Sequence, residues 1–572
     1  MKPTLLLIFL SVVNVLFAQN VAVSGNQTTS TQTEEKYSRI SISYLLLDVG
    51  SGQFYNVARN AFLRPEVPDK FDYNSLNNPY IKSPLTRSEI DNNAITNPNV
   101  PYFVTSKVME ALSQGHFANE ILSKWFSRKA DGSFGVDLLQ QRGLYNATDD
   151  AVLTAQASER GMARIKDSGE KLINNTYIMV YDISDLITMD EYYDRLQKNS
   201  KTPIERDKDG FYSLVTSYVF KINFNDSISS YFWQNLWANS GDPDLPTKRE
   251  AFDKFEIPLS FVTKVSGDVF SIQNKPGSSA VMNARLKTSQ ELLASLVKIA
   301  INQSLTFLEN TQNAFQVKTQ LLKADPLIAK IGKKEGLRID QKYFVFEKVQ
   351  GSTNQIVEKN KGSIRAKRVV DNRQVSSGQT QPSQFYQVSG GKLDEGMIIK
   401  QHHDLGTSIS LGCSFGGVKG FEYRIEIRIS RIIPVPMLKI FVEGGSENAS
   451  YYFQGLNRTY ENFTRYGGGI GKEFCFLRNF KFQPYFGFGF EQLTDSQNKD
   501  AYLNSWYAHP GFCLGFNLKH NIQFIWNCGS YIMNNSMRDE TQNTISIDGI
   551  EQWGKIWGRG GLANSIGLRY EL

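Results

Sequence analysis

The chain has 572 residues, a formal net charge of +6 and 12% aromatic residues. That length exceeds one ordinary core, so two or three domains are expected. The charge surplus is small and forms no concentrated basic stripe, which excludes a nucleic-acid-binding footprint.

The chain opens on Met1-Lys2-Pro3-Thr4, followed by an apolar run of about 13 residues, Leu5 to Phe17, and the sequence Ala18-Gln19. A charged start, a short apolar stretch and a small residue at the cut describe a secretory signal over residues 1–18. A spanning helix would need ~20 apolar residues. Beyond the signal no apolar run reaches 18 residues. A membrane-embedded form of this chain would have to be a barrel, because only helices and closed barrels satisfy their backbone in lipid. Residues 19–36 are polar and rich in Ser, Thr and Gln, and read as a flexible arm.

Residues 37–320 alternate strand and helix patterns, which predicts an α/β (α+β) domain. The strand candidates are 38–49, 177–183, 212–224 and 259–272. Helical spacing marks 104–127, 189–198 and 288–314, and Thr148-Asp149-Asp150 reads as the N-cap of another helix reaching Ile173. Asp226 is expected to cap a helix to about Trp237. The Pro/Asn-rich stretch 64–101 reads as irregular loop. Asp182 and Asp185 read as groups of a solvated turn.

Residues 328–401 form a small β-module of three strand patterns and a closing segment, with a polar, partly disordered loop over 367–383. The turn Gly332-Lys333-Lys334-Glu335-Gly336-Leu337 and the closing Asp394-Glu395-Gly396-Met397-Ile398-Ile399 resemble the small modules of periplasmic proteins of curli- and flagellum-assembly type.

From residue 405 to 572 short strands follow one another. In Gly420–Ser430, Phe421, Tyr423, Ile425, Ile427 and Ile429 alternate with Glu422, Arg424, Glu426 and Arg428. A strand has period 2, so one face is apolar and the other charged. Behind a secretion signal this pattern predicts a barrel with lipid outside and charge inside. Eight strands are expected, at 407–417, 420–432, 436–446, 462–475, 479–492, 503–518, 521–533 and 562–572. Short connections (433–435, 476–478, 519–520) alternate with outer ones of which 418–419 is short and the others (447–461, 493–502, 534–561) are longer and Asn/Asp/Gln/Ser-rich, the asymmetry between periplasmic and outer loops. An eight-stranded barrel is just wide enough for side chains to fill. The expected lumen network is Glu422, Arg424, Glu426, Arg428, Lys439, Glu443, Arg465, Glu491, Arg569 and Glu571, five acids and five bases that neutralise one another.

The barrel strands, the terminal strand Ile566–Leu572 and the Phe17-Ala18-Gln19 signal ending resemble those of outer-membrane β-barrel proteins of the Bacteroidota. The resemblance implies an outer-membrane location with a large periplasmic domain. It implies no reaction.

Several motifs have structural readings instead of catalytic ones. Gly412-Cys413-Ser414-Phe415-Gly416 matches a nucleophile elbow in letters only, since a barrel strand replaces the strand–turn–helix that the motif needs. Tyr466–Lys472 lacks the first Gly of a phosphate loop. His402-His403 has no third ligand at metal-binding spacing. Cys413, Cys475, Cys513 and Cys528 match no zinc pattern; Cys413 and Cys528 fall on the lipid face and Cys513 on the inner face. His509 is expected near the outer rim.

The expected function is therefore non-enzymatic, without cofactor or metal. The barrel sits in outer-membrane lipid and anchors a domain that binds an unidentified periplasmic protein or peptidoglycan. Two alternatives remain: surface binding or adhesion through the outer loops, with Trp553 and Trp557 as contact candidates, and a small-barrel outer-membrane hydrolase using His509 with Ser505 nearby.

Overall fold

The computed structural model describes residues 39–572 apart from 84, 97–101, 147–168, 276–284, 351–355, 376–380, 403, 454–456, 499, 535–536, 540, 542–543 and 546–559. The signal, the arm, Asp149, Asp150, Trp553 and Trp557 lie outside the described residues.

The first region is a mixed sheet between two helical layers. Strand β1 (Ile40–Asp48) pairs in parallel with β2 (Phe71–Tyr73) and β3 (Tyr80–Lys82) on one edge. On its other edge it pairs in parallel with β4 (Thr176–Thr188). Antiparallel β5 (Lys208–Ile222) and β6 (Leu259–Asn274) complete the sheet. Strand β1 is buried on both faces, as its unbroken apolar run Tyr44–Leu47 requires. Leu45 and Leu47 enter one core, with α2 (Arg87–Thr96), α3 (Tyr102–Gln114), α4 (Phe117–Trp125), α5 (Asp137–Asn146), α7 (Asp226–Tyr231) and α8 (Leu245–Lys254) around it. Ile42, Tyr44 and Leu46 enter the other, beneath α1 (Gln53–Ala61) and α9 (Ser289–Thr311). Helix α9 is long and apolar enough to cross a membrane, yet Leu292, Leu296, Ala300 and Leu305 are buried in this core. Thr288 caps it with a reciprocal Glu291 contact. The helix α6 (Met189–Lys198) matches its expected span and is capped by Thr188 and Glu191.

Four expectations need correction here. The stretch 64–101 carries β2, β3 and α2, because short edge strands take their order from β1 and not from their own pattern. The helix expected over 104–127 breaks at His116, whose φ of 51 no helix tolerates. Asn225, not Asp226, caps α7 by accepting from the Ile228 N–H. Asp182 is buried, and Arg87 donates to both its oxygens at 3.0 and 2.5 Å.

The module is a closed six-stranded barrel that starts at Lys318, ten residues before its expected boundary. Its strands are β7 (Lys318–Ala324), β8 (Leu327–Ala329), β9 (Lys342–Gln350), β10 (Ile356–Arg368), β11 (Ser383–Gly390) and β12 (Ile398–Gln401). In the segment expected to be a loose loop, Asn372 is buried, donating to Glu335 at 2.7 Å and accepting from the Lys334 N–H at 2.9 Å.

The C-terminal region closes into an eight-stranded antiparallel barrel. Its strands are β13 (Thr407–Gly416), β14 (Gly420–Arg428), β15 (Leu438–Phe453), β16 (Arg458–Lys472), β18 (Phe480–Asp495), β19 (Tyr502–Asn517), β20 (Ile522–Met533) and β23 (Gly561–Glu571), with β23 returning to β13. The short β17 (Phe474–Leu477) continues β16 in the same register along β18 and is itself irregular between Cys475 and Leu477, and β21 (Met537–Arg538) and β22 (Thr544–Ile545) form a small pair beyond β19. The ribbon β15–β16 extends through most of the expected 447–461 loop. Strand β14 stops at Arg428, short of 432, where Ile429–Arg431 turns as a 3-10 helix and Ser430 reaches Asp340 of the module.

Leu411, Phe421, Tyr423, Ile427, Ile440, Val442, Phe486, Phe488, Phe524, Ile566, Leu568 and Tyr570 are exposed on the outside of the barrel, while charged residues line its inside. In water this would be inverted. It is the arrangement of a barrel seated in lipid.

Candidate functional site

The lumen of the large barrel is occupied by buried charged side chains that fall into layers. Nearest the module, Glu571 accepts from Lys481 and Gln523, each at 2.8 Å. Glu473 accepts from Arg428 at 2.8 Å and from Lys439 at 2.7 Å. One step deeper, Glu426 accepts from Lys439 and Arg569 at 3.0 Å and from Gln483 at 2.8 Å. A small apolar ring of Phe441, Tyr485, Cys513 and Ile525 follows.

Beyond the ring Glu443 accepts from Arg424 at 2.7 Å, and its other oxygen lies 3.1 Å from His509 Nδ1. His509 Nε2 lies 3.1 Å from the Tyr485 hydroxyl, and the imidazole stacks on Tyr531 at 3.9 Å. Glycines make this layer possible. A Cβ on Gly529 would sit 2.6 Å from His509 Nε2, and one on Gly511 would sit 2.7 Å from the Tyr485 hydroxyl. Arg424 also lies over the Phe441 and Tyr485 rings, at 4.3 and 4.2 Å. The cavity between Glu422, Arg424, Glu443, Tyr507 and Tyr531 measures about 20 Å³, room for about one water. Glu422, half-buried, contacts Ser565 and Asn527. Arg465 lies 3.8 Å from Glu491 at the end far from the module.

The structure thus buries nine of the ten expected lumen charges and leaves Glu422 half-buried. It adds Glu473 and Lys481, whose strand parity matches that of Arg465 and Glu491. It corrects the position of His509, which sits mid-strand and is 4% exposed. Ser505 donates to the Asn534 carbonyl at 3.2 Å and makes no contact with His509. His402 packs on the Phe344 ring, and no group of three potential metal ligands occurs among the described residues. All four cysteines are free.

The network does not end at the barrel. Arg365, on module strand β10, donates to Glu571 at 3.1 Å and pairs with Asp404 of the linker. Arg431, in the β14–β15 turn, donates to Asp404 at 2.8 Å. Asp340 of the module accepts from the Ser430 hydroxyl and the Met437 N–H, both at 2.6 Å. Lys342 donates to Asn521 at 2.7 Å and lies 3.5 Å from Glu571. Asn517 donates to the Val388 carbonyl at 2.6 Å, and Ser389 lies 3.1 Å from His520. Burial dominates two of these groups. It pulls the Lys342 ammonium down to about 8, against the pull of Glu571, and it lowers His520 further below its ordinary range beside Lys342. Burial opposes the charged form of Asp404 too, but Arg365 and Arg431 overcome it and hold the carboxyl down at about 2.

The closed eight-stranded fold, apolar outside and ionic inside, defines a membrane-spanning β-barrel of the outer-membrane type. Solved structures with some likeness include a major outer membrane protein from Thermus thermophilus, at 14% identity and a TM-score of 0.19 over 29% of this chain and 99% of that one. The attachment invasion locus protein Ail of Yersinia pestis, solved with the heparin analogue sucrose octasulfate, matches at 13% identity and 0.19 over 29% of this chain and 97% of that one. The outer membrane protease OmpT of Escherichia coli matches at 11% identity and 0.15 over 41% and 94%. No attachment or protease role passes to this chain at such values. No protein-family model and no curated protein sequence matches it.

Proposed function

We propose that the protein is a non-enzymatic outer-membrane anchor whose N-terminal α/β domain lies in the periplasm and binds another envelope component, a protein or peptidoglycan. One observation carries this reading: the module closes one mouth of the barrel through a continuous, buried ionic network. Breaking a buried pair by removing one partner costs about 3–5 kcal/mol, so the module and the barrel hold together as one body. A filled lumen offers no diffusion path, and the capped mouth is a rigid mount for the α/β domain. His509 is enclosed and in contact at both ring nitrogens, which favours a structural role over the hydrolase alternative.

The test is a cross-linking capture from intact cells using the full-length protein. Recovery of a specific envelope protein or of peptidoglycan fragments supports the anchor. Conductance steps in a planar bilayer would replace it with a channel.

A further inference from the structure

Where the α/β domain, the module and the barrel turn meet, a cleft of about 1050 Å³ opens. Its walls include Lys70, Glu309, Arg338, Arg373, Asp404, Arg431 and Ile432. Most of its charges are already matched. Lys70 pairs with Glu309, Lys333 and Arg373 pair with Asp371, and Arg365 and Arg431 share Asp404. Asp69 lies within electrostatic reach of Arg373. The surplus is cationic and sits on one side. Arg338 is exposed and makes no ion pair among the described residues. Arg431 uses one nitrogen on Asp404 and keeps a buried Nε with no partner. Arg338 lies close enough to Arg431 for its charge to be felt there, alongside the attraction of Asp404, so an anion between them would meet two cations.

The lip beside these arginines is apolar. Ile432 is 85% exposed and Ile433 45%, in a turn where water should disfavour both. This turn joins β14 to β15 directly below the outward-facing pair Ile427 and Ile440. The lipid-facing surface therefore continues from the barrel wall to the edge of the cleft. An occupant must be anionic at one end and apolar at the other.

We propose that this cleft binds an anionic phospholipid of the leaflet nearest the module, with its phosphate between Arg338 and Arg431 and its acyl chains against Ile432, Ile433 and the barrel wall. Guanidinium groups suit phosphate because their donors match its oxygens in pairs. The bound lipid would fix the distance of the α/β domain from the membrane. The inference rests on the membrane placement of the barrel proposed above.

The test uses full-length protein in dodecyl maltoside, with the barrel verified by heat-modifiable gel migration, so that a failure of the membrane reading shows separately. Thermal unfolding is followed during titration with short-chain phosphatidylglycerol, phosphatidylcholine or glycerol phosphate. Phosphatidylglycerol should raise the melting temperature saturably and at the lowest concentration. Arg338→Gln should shift that midpoint upward about tenfold, the loss of about one charge-assisted contact, and Ile432→Ser should also shift it upward. Both side chains are exposed, so neither variant endangers the fold. An unchanged midpoint in Arg338→Gln overturns the site. Glycerol phosphate acting at the same concentration as phosphatidylglycerol overturns the lipid assignment, and phosphatidylcholine doing so overturns the requirement for net negative charge.

Discussion

Arg365 of the module and Glu571 of the last barrel strand meet 3.1 Å apart, 206 residues apart in sequence and almost completely buried. This contact joins the two barrels into one ionic interior. Arg365→Met would leave Glu571 and Asp404 each without one of their cations. We expect a loss of about 3–5 kcal/mol, seen as a lower denaturation midpoint in detergent. The linker 402–406 should become sensitive to protease before the large barrel does.

The junction should respond to acid through Asp404. Its carboxyl ionises at about 2 in the folded protein against 3.8 in the reference state. The unfolded form binds a proton first as pH falls, so the stabilisation is present above about pH 4 and is lost between 3.8 and about 2. Urea midpoints measured across that window should fall, and should fall less in Asp404→Asn, which starts lower.

The alkaline side has the opposite partner. Lys342 gives up its proton at about 8 when folded and at 10.5 in the reference state. Between those values the unfolded form holds more protons, so stability should rise with pH. Below about 8 both forms are charged and the burial penalty is fully present. In Lys342→Met the rise between 8 and 10.5 should disappear.

Inside the barrel, Gly529→Ala would drive a methyl group toward His509 Nε2 and the Tyr485 hydroxyl, at 2.6 and 2.9 Å. Overpacking of this kind costs about 1–3 kcal/mol. The variant should lose heat-resistant gel migration at a lower temperature than the natural protein.

Much of this architecture could be read in the sequence because strands with one lipid face and one inner face carry a strict period of 2. Glu422, Arg424, Glu426 and Arg428 follow it without interruption, and so do the charges of β15, β18 and β23. Glu473 and Lys481 were legible by the same parity, since they share it with Arg465 and Glu491. The junction was not. Asp340 and Asp404 come from loops, Lys342 from the first residue of a strand and Arg365 from inside β10, and their partners are fixed only when two separately closed barrels dock. The short strands β2 and β3 were hidden for a similar reason, since three residues carry no readable alternation. His509 was visible as a residue, but its distance from the rim depends on where β19 ends and β20 begins.

The central claim is that residues 407–572 form a closed barrel in the outer membrane with the module fixed beneath it. Membrane fractionation followed by gel electrophoresis with and without boiling tests it most directly. The predicted result is recovery in the outer-membrane fraction and faster migration of the unboiled protein. Recovery in the soluble fraction, with identical migration before and after boiling, would contradict it.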